Sequence, residues 1–210
     1  KTGLIMGNLS FPSSLMSRYA ESIWFPHFNP RKVDPRNRFM SGYPALLMRD
    51  VFGFKGPTYT LDAACASALY AIKLACDALH DHRSDVMVAG AVNRADNLFI
   101  HVGFCALKAM SRTGRSRPFH AEADGLIPAE GAGFVVLKRL EDAERDGDTI
   151  FGVIRGIGLS NDGRGKGLLA PSSKGQISAL QLAYEQSGID PNSIGLIECH
   201  ATGTPIGDAT

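Results

Sequence analysis

Residues 61–69 read LDAACASAL, so a thiol, Cys65, stands between an extended-looking run and a long apolar-periodic one. A thiol at a strand-to-helix junction meets unpaired backbone N–H groups and the positive end of the helix dipole. Both favour thiolate over thiol, and the same donors can hold an oxyanion formed when sulfur attacks a carbonyl. The flanking Ala63, Ala64, Ala66, Ser67 and Ala68 are small and leave room for a substrate. From position alone two readings stand, a nucleophile and a small buried apolar side chain.

A nucleophilic thiol needs a base or an electrostatic partner. Of six histidines, His27 lies in a proline-rich stretch, His80 and His82 at a helix end, and His101 and His120 in or near loops. These read as surface or structural side chains. His200 differs, because it closes the apolar run IGLIEC and opens the turn ATGTPIGD, with Thr202 and Thr204 beside it. Cys199 is adjacent, but neighbours on a strand point to opposite faces, which argues against a Cys199–His200 pair. Cys76 reads as core, and Cys105 and Cys199 as structural.

The elements that would position these groups follow from hydrophobic periodicity. GLIMG and YTLDA read as strands. From Ala64 to Leu79 apolar residues recur three or four apart at Leu69, Ile72, Cys76 and Leu79, the pattern of an amphipathic helix. VMVAG is a buried strand. GFVVLKRL runs from strand into a short helix that Gly147 closes, and IFGVIRGIGL is a further strand. Ser172 or Ser173 caps a helix that runs to about Ser187 and ends at Gly188. IGLIECH is the last strand, and residues 11–56 read as irregular with short helical pieces. Alternating strands and helices define an α/β class with a largely parallel sheet, and reactive groups in such sheets gather where strands end.

Composition narrows the functional classes. The chain has 210 residues, 44% hydrophobic and 20% charged, with net charge +1. Nothing in that balance points to nucleic acid or to an anionic membrane surface. No apolar run approaches the roughly 18 residues of a membrane span, and no signal peptide is visible. The four cysteines have neither metal-ligand nor redox spacing, so a reduced, cytoplasmic setting is expected.

GRGKG at 163–167 lacks the Walker spacing and reads as a tight turn. Arg112, Arg115 and Arg117 form a basic loop cluster, either solvated or a patch for an acidic partner. Glu130 reads as a buried, hydrogen-bonded carboxylate, and Asp208 as a brace for the turn after His200. Phe104 reads as core or as a border of an acyl pocket.

Four stretches together resemble the β-ketoacyl synthases, the condensing enzymes of fatty acid and polyketide synthesis. They are GPTYTLDAACASAL around Cys65, ADGLIPAEGAGFVVLKRLEDAERDGD at 123–148, GLSNDGRGKGLLAP at 158–171 and ECHATGTPIGD at 198–208. The wording of the second is most similar to ketosynthase domains of large multidomain synthases. The resemblance implies a thiolase-like fold with layers α-β-α-β-α, incomplete here, assembled as a homodimer. It implies 1–149 as most of the N-terminal half and 150–210 as the start of the C-terminal half.

It further implies Cys65 as the acyl-accepting nucleophile and His200 as one of two catalytic histidines. Thr202 and Thr204 match positions that contact the phosphopantetheine arm of an acyl carrier protein, the expected partner. No metal and no cofactor of the chain's own is implied. The family's second histidine and a lysine lie further on in its sequence, so this chain reads as a central fragment, inactive by itself. Three departures stand out: Ala64, Ala66 and Ala68 where Thr or Ser is more common, His120 where Asp is common, and Ala201 where Gly is frequent. The alternatives are a dimerising or carrier-docking module with incomplete chemistry, and a Cys/His acyltransferase or thioester hydrolase.

Overall fold

A computed structural model describes residues 1–9, 19, 22–24, 27, 41–94, 98–165, 167 and 170–210. The chain divides into two compact units. One holds Lys1–Arg94 and Glu130–Phe151, the other Ala95–Ala129 and Gly152–Thr210.

The first unit is built on β1 (Thr2–Gly7), β2 (Thr58–Leu61), β3 (Val86–Asn93) and β4 (Gly131–Leu137), in the spatial order β2-β1-β3-β4. β1 pairs in parallel with β2 and β3, whereas β4 runs antiparallel to β3. The central strand is buried on both faces, as GLIMG suggests. Ile5 faces Ala71, Ala75, Ala78, Leu79, Met87 and Ala89, and Leu4 and Met6 face Ala45 with Met48 and Phe54. Helix α1 (Tyr43–Phe52) thus covers one face and α2 (Ser67–His80) the other. The alanines of α2 let it lie close to the sheet.

Residues 43–52 are a regular helix, where the sequence read as irregular. Its punctuation is local and legible: Pro44 stands in the first turn and Gly53 closes it at φ 67°. The remainder of the irregular stretch lies mostly outside the described residues. Helix α3 (Leu98–Ala106) carries His101, which the sequence placed in or near a loop. Helix α4 (Leu140–Asp146) ends at Gly147 with φ 70°, as expected.

Arg139 ties α4 and β4 to the end of α2. Its guanidinium donates to the Leu79 and Ser84 carbonyls at 2.8 and 2.9 Å and to Asp142 at 2.6 Å. The Leu79 carbonyl also accepts from the His82 amide at 3.1 Å, so this cation adds a second bond at the end of α2 and one to the segment just after it.

In the second unit α5 (Ser173–Ser187) has its N-cap at Ser172, whose hydroxyl accepts from the Gly175 amide, and Gly188 closes it at φ 64°. The segment before it packs on this helix through glycines. A Cβ on Gly158 would lie 1.8 Å from the Ala179 carbonyl oxygen, and one on Gly156 2.5 Å from that of Ala183. Ser160 donates to the Gly175 carbonyl at 2.6 Å.

The stretches 150–159 and 194–200, expected as strands, carry no ladder among the described residues. Their composition favours extended backbone, but a strand requires a neighbour to exchange hydrogen bonds with. A short α6 (Pro205–Asp208) follows the last of them. The GRGKG turn has Gly163, Gly165 and Gly167 at positive φ, and Lys166 lies outside the described residues.

Candidate active site

Cys65 is exposed and unpaired. It lies just beyond the C-terminal end of β2, where Leu61 is the register partner of Gly7. α2 starts at Ser67, not at Ala64 as the periodicity suggests, with Ala66 as its N-cap. The reason is a tight elbow. Ala64 takes φ 52°, in the left-handed region that a β-carbon disfavours.

Three side-chain bonds hold that elbow. The Ala64 amide donates to the Asp62 carboxylate at 2.9 Å. The Ser67 hydroxyl accepts from the Ala63 amide at 2.9 Å and donates to the Ala64 carbonyl at 2.6 Å. The Ala66 and Ser67 amides are engaged within the turn, at 3.2 and 3.1 Å. Ser67 is buried against the end of β1, where a Cβ on Gly7 would come within 2.7 Å of its own Cβ. Sequence reasoning missed the roles of Asp62 and Ser67. The signal was present, since Asp two residues before the kink and Ser at the helix start both bond locally to backbone.

The other thiols differ in setting. Cys76 is half-buried, and burial first, then the Asp77 carboxylate, push its thiol up, with Lys73 opposing. Cys105 and Cys199 are exposed, and the Cys105 thiol contacts the Met110 sulfur at 3.7 Å. Phe104 is half-buried in α3.

His200, in the second unit, is exposed at the end of its unpaired extended segment. The turn after it is tightly built. Ala201 takes φ 42° and Gly203 φ 75°. Thr202 Oγ1 and Thr204 Oγ1 are 3.0 Å apart, so one hydroxyl proton serves the pair and the other stays available to a ligand. A Cβ on Gly207 would lie 2.5 Å from Thr204 Oγ1.

Asp208 is the brace the sequence suggested. One carboxylate oxygen accepts from the Gly203 amide at 3.1 Å and the other from the Phe119 amide at 2.7 Å. A third link runs from the Gly125 amide to the Gly203 carbonyl at 3.0 Å. Thus the 111–126 loop and the 200–208 turn form one hydrogen-bonded body.

That loop has its own anchor. Asp124 accepts from the Ser111 hydroxyl at 2.6 Å and from the Arg112 and Thr113 amides at 3.1 and 3.0 Å. The Ser111 hydroxyl foremost, then Thr113 and Arg112, hold its carboxyl below the usual carboxylate range.

Arg117 turns inward, with its side chain 19% exposed, and pairs with Glu122. The basic cluster therefore narrows to the exposed Arg112 and Arg115. Thr113, Arg115, Arg117, Glu122 and Asp124 line an open surface concavity of about 630 Å³. Glu130 is exposed, not buried, because the residues leading into β4 are open to solvent. Among the described residues no three His, Cys, Asp or Glu side chains converge as a metal site.

The structure joins Thr202 with Thr204 and keeps Cys65 and His200 in separate units. A cysteine elbow at the ends of parallel strands, between helical layers, is the architecture of thiolase-like proteins, and the solved structures it matches share that fold. The ketosynthase–chain length factor PfaC superposes with TM-score 0.86 at 42% identity, covering 99% of this chain and 24% of that one. The ketosynthase from module 6 of the Bacillus subtilis 168 bacillaene synthase gives TM-score 0.81 at 33% identity, covering 99% of this chain and 34% of the other.

The β-ketoacyl synthase N-terminal domain profile matches residues 2–143, and the C-terminal domain profile matches residues 151–210. The chain belongs to the β-ketoacyl synthase family. Among curated relatives, a mycocerosic acid synthase-like polyketide synthase of Mycobacterium tuberculosis is 42% identical over 170 residues, 81% of this chain and 8% of that protein. A polyunsaturated fatty acid synthase polypeptide of Thraustochytrium sp. is 36% identical over 232 residues, 99% of this chain and 11% of that protein. The chain therefore spans about a tenth of the length of such relatives.

Proposed function

We propose that the chain carries the acyl-accepting part of a ketosynthase working in polyketide or fatty acid synthesis. The observation that supports it most directly is Cys65, exposed on a kinked elbow that Asp62 and Ser67 hold in place. The Cys65 thiolate attacks the thioester carbonyl of an acyl group borne by a carrier protein. The pantetheine thiolate leaves, and the acyl group passes to sulfur.

In the second half-reaction a malonyl-type thioester loses carbon dioxide, and negative charge develops on its thioester oxygen. In this reading His200 donates a proton-bearing ring nitrogen to that oxygen, and the free hydroxyl proton of the Thr202–Thr204 pair meets a pantetheine carbonyl. The enolate carbon then attacks the acyl carbonyl and expels the Cys65 thiolate, giving a β-ketoacyl product. Decarboxylation supplies the carbanion, so the step as proposed calls on no metal or redox cofactor, and phosphopantetheine arrives on the carrier protein.

An acyl carrier protein and a second copy of the chain are the proposed partners. Arg112 and Arg115 offer exposed positive charge for an acidic carrier. Four unpaired thiols suit a reducing, cytoplasmic setting. Among the described residues no helix is long and apolar enough to cross a membrane.

The test is mass spectrometry after incubating the ketosynthase domain that contains this chain with an acyl-carrier thioester. An acyl adduct confined to Cys65 and absent from Cys65→Ala is expected. An adduct on Cys76, Cys105 or Cys199 instead would overturn the assignment. With a malonyl-type extender a β-keto product is expected, and free acid alone would mark a hydrolase.

A further inference from the structure

The 117–124 turn contains an acceptor that exists in only one protonation state. The Glu122 amide donates to His120 Nδ1 at 3.1 Å. An imidazole nitrogen accepts only while it carries no proton, so the neutral ring here keeps its proton on Nε2. A carboxylate at this position would accept in its ordinary charged state, whereas a ring nitrogen accepts in only one of its two protonation states. Once Nδ1 is protonated, two donors face each other and the bond is gone.

The turn has few other ties. The His120 amide donates to the Arg117 carbonyl at 3.2 Å, and the Ala123 amide to the His120 carbonyl at 3.0 Å. Its neighbour Phe119 takes φ 60°, a left-handed conformation that the surroundings must hold. Phe119 is also the residue whose amide reaches Asp208, which in turn holds Gly203 between Thr202 and Thr204. The charged groups tied to the same loop are Arg117 and Glu122, paired with each other, Asp124 near Arg117, and Asp208 from the 200–208 turn.

We infer that His120 is a positioning residue: its unprotonated Nδ1 closes the turn that presents Phe119 to Asp208, making the brace on the 200–208 turn sensitive to protonation. The hydrogen-bond statement stands apart from the proposed chemistry. Only its catalytic consequence, a loosening of the Thr202–Thr204 pair in acid, rests on that reading.

The test is amide hydrogen–deuterium exchange resolved to single residues, on the ketosynthase domain that contains this chain, without substrate, at pH 7.5 and 5.5. Rates are corrected for intrinsic pH dependence, and the α5 amides serve as reference. Loss of one neutral hydrogen bond corresponds to about fivefold less protection. That loss is expected at Glu122 in the wild type on acidification, with a smaller loss at Phe119 and Gly203. His120→Asp is expected to remain protected at both pH values, and His120→Ala to be unprotected at both. Unchanged Glu122 protection in the wild type sinks the inference. So does the same acid response in His120→Asp, which would assign it to Glu122, Asp124 or Asp208. A failed acyl-transfer assay would leave these exchange results intact, so the two readings fail separately.

Discussion

Cys65 and Cys76 lie eleven positions apart in one stretch of sequence, yet their surroundings separate their reactivity. Cys65 is open to solvent on its elbow, whereas burial raises the thiol of Cys76 and keeps it protonated. Brief iodoacetamide treatment at pH 8 is expected to label Cys65 at least tenfold faster than Cys76, read by peptide mass spectrometry. Ala201, at φ 42°, carries a left-handed strain that glycine would not. Ala201→Gly is expected to raise stability by about 0.5 kcal/mol, since part of the relief is offset by the freer unfolded chain.

Asp124 sets the acid response of its loop. Its folded-state carboxyl is held low, so its contribution is complete above the ordinary carboxylate range near pH 4 and fades as pH falls through the lower folded value. Asp124→Asn is expected to flatten the loss of thermal stability on acidification below about pH 4. At this scale much was legible: the caps Ser172, Gly147 and Gly188, and the bond from the Gly203 amide to Asp208, act through neighbours close in sequence or through a backbone need that one residue type meets. Glu130 was not, because exposure depends on what the rest of the chain covers.

Elements are positioned by a few backbone approaches. α2 begins where it does because Ser67 satisfies both ends of the Ala63–Ala64 kink from a buried position. Ser67→Ala leaves the part-buried Ala63 amide without its acceptor and is expected to cost about 1–3 kcal/mol in denaturant unfolding. Gly158→Ala drives a methyl into the Ala179 carbonyl, so α5 must shift, and a loss of about 1–3 kcal/mol is expected. Periodicity located α2 and α5 but could not set the start of α2, since a left-handed Ala64 breaks the rule that only glycine or asparagine turns there. It also read 150–159 and 194–200 as strands, because apolar β-branched composition reports backbone preference and not the presence of a neighbour.

For the molecule as a whole, the apolar side chains of the unpaired stretches are open to water, with Phe151 98%, Leu196 84% and Ile197 71% exposed. β4 adds Val136 at 73%. Surfaces of this kind bind apolar dyes and associate. The isolated 210-residue chain is expected to enhance anilinonaphthalene sulfonate fluorescence and to elute from size exclusion as larger than a monomer, and a monomeric, dye-silent chain would count against this. Residues 95–129 cluster with 152–210, a pairing that cuts across sequence order. That partnership lives in contacts such as Phe119 with Asp208, which no local pattern encodes.

The interleaving has a consequence for how the polypeptide matures on the ribosome. β1, β2 and β3 emerge first, but β4 cannot join β3 until all of 95–129 has been made, and that excursion has no companion until residues beyond 152 follow. The first unit can be finished once residue 151 is out, whereas 95–129 must wait for 152–210. A nascent chain whose first 151 residues have cleared the exit tunnel would hold the complete four-stranded sheet and a 95–129 insert still without its companions, a target for chaperones and proteases.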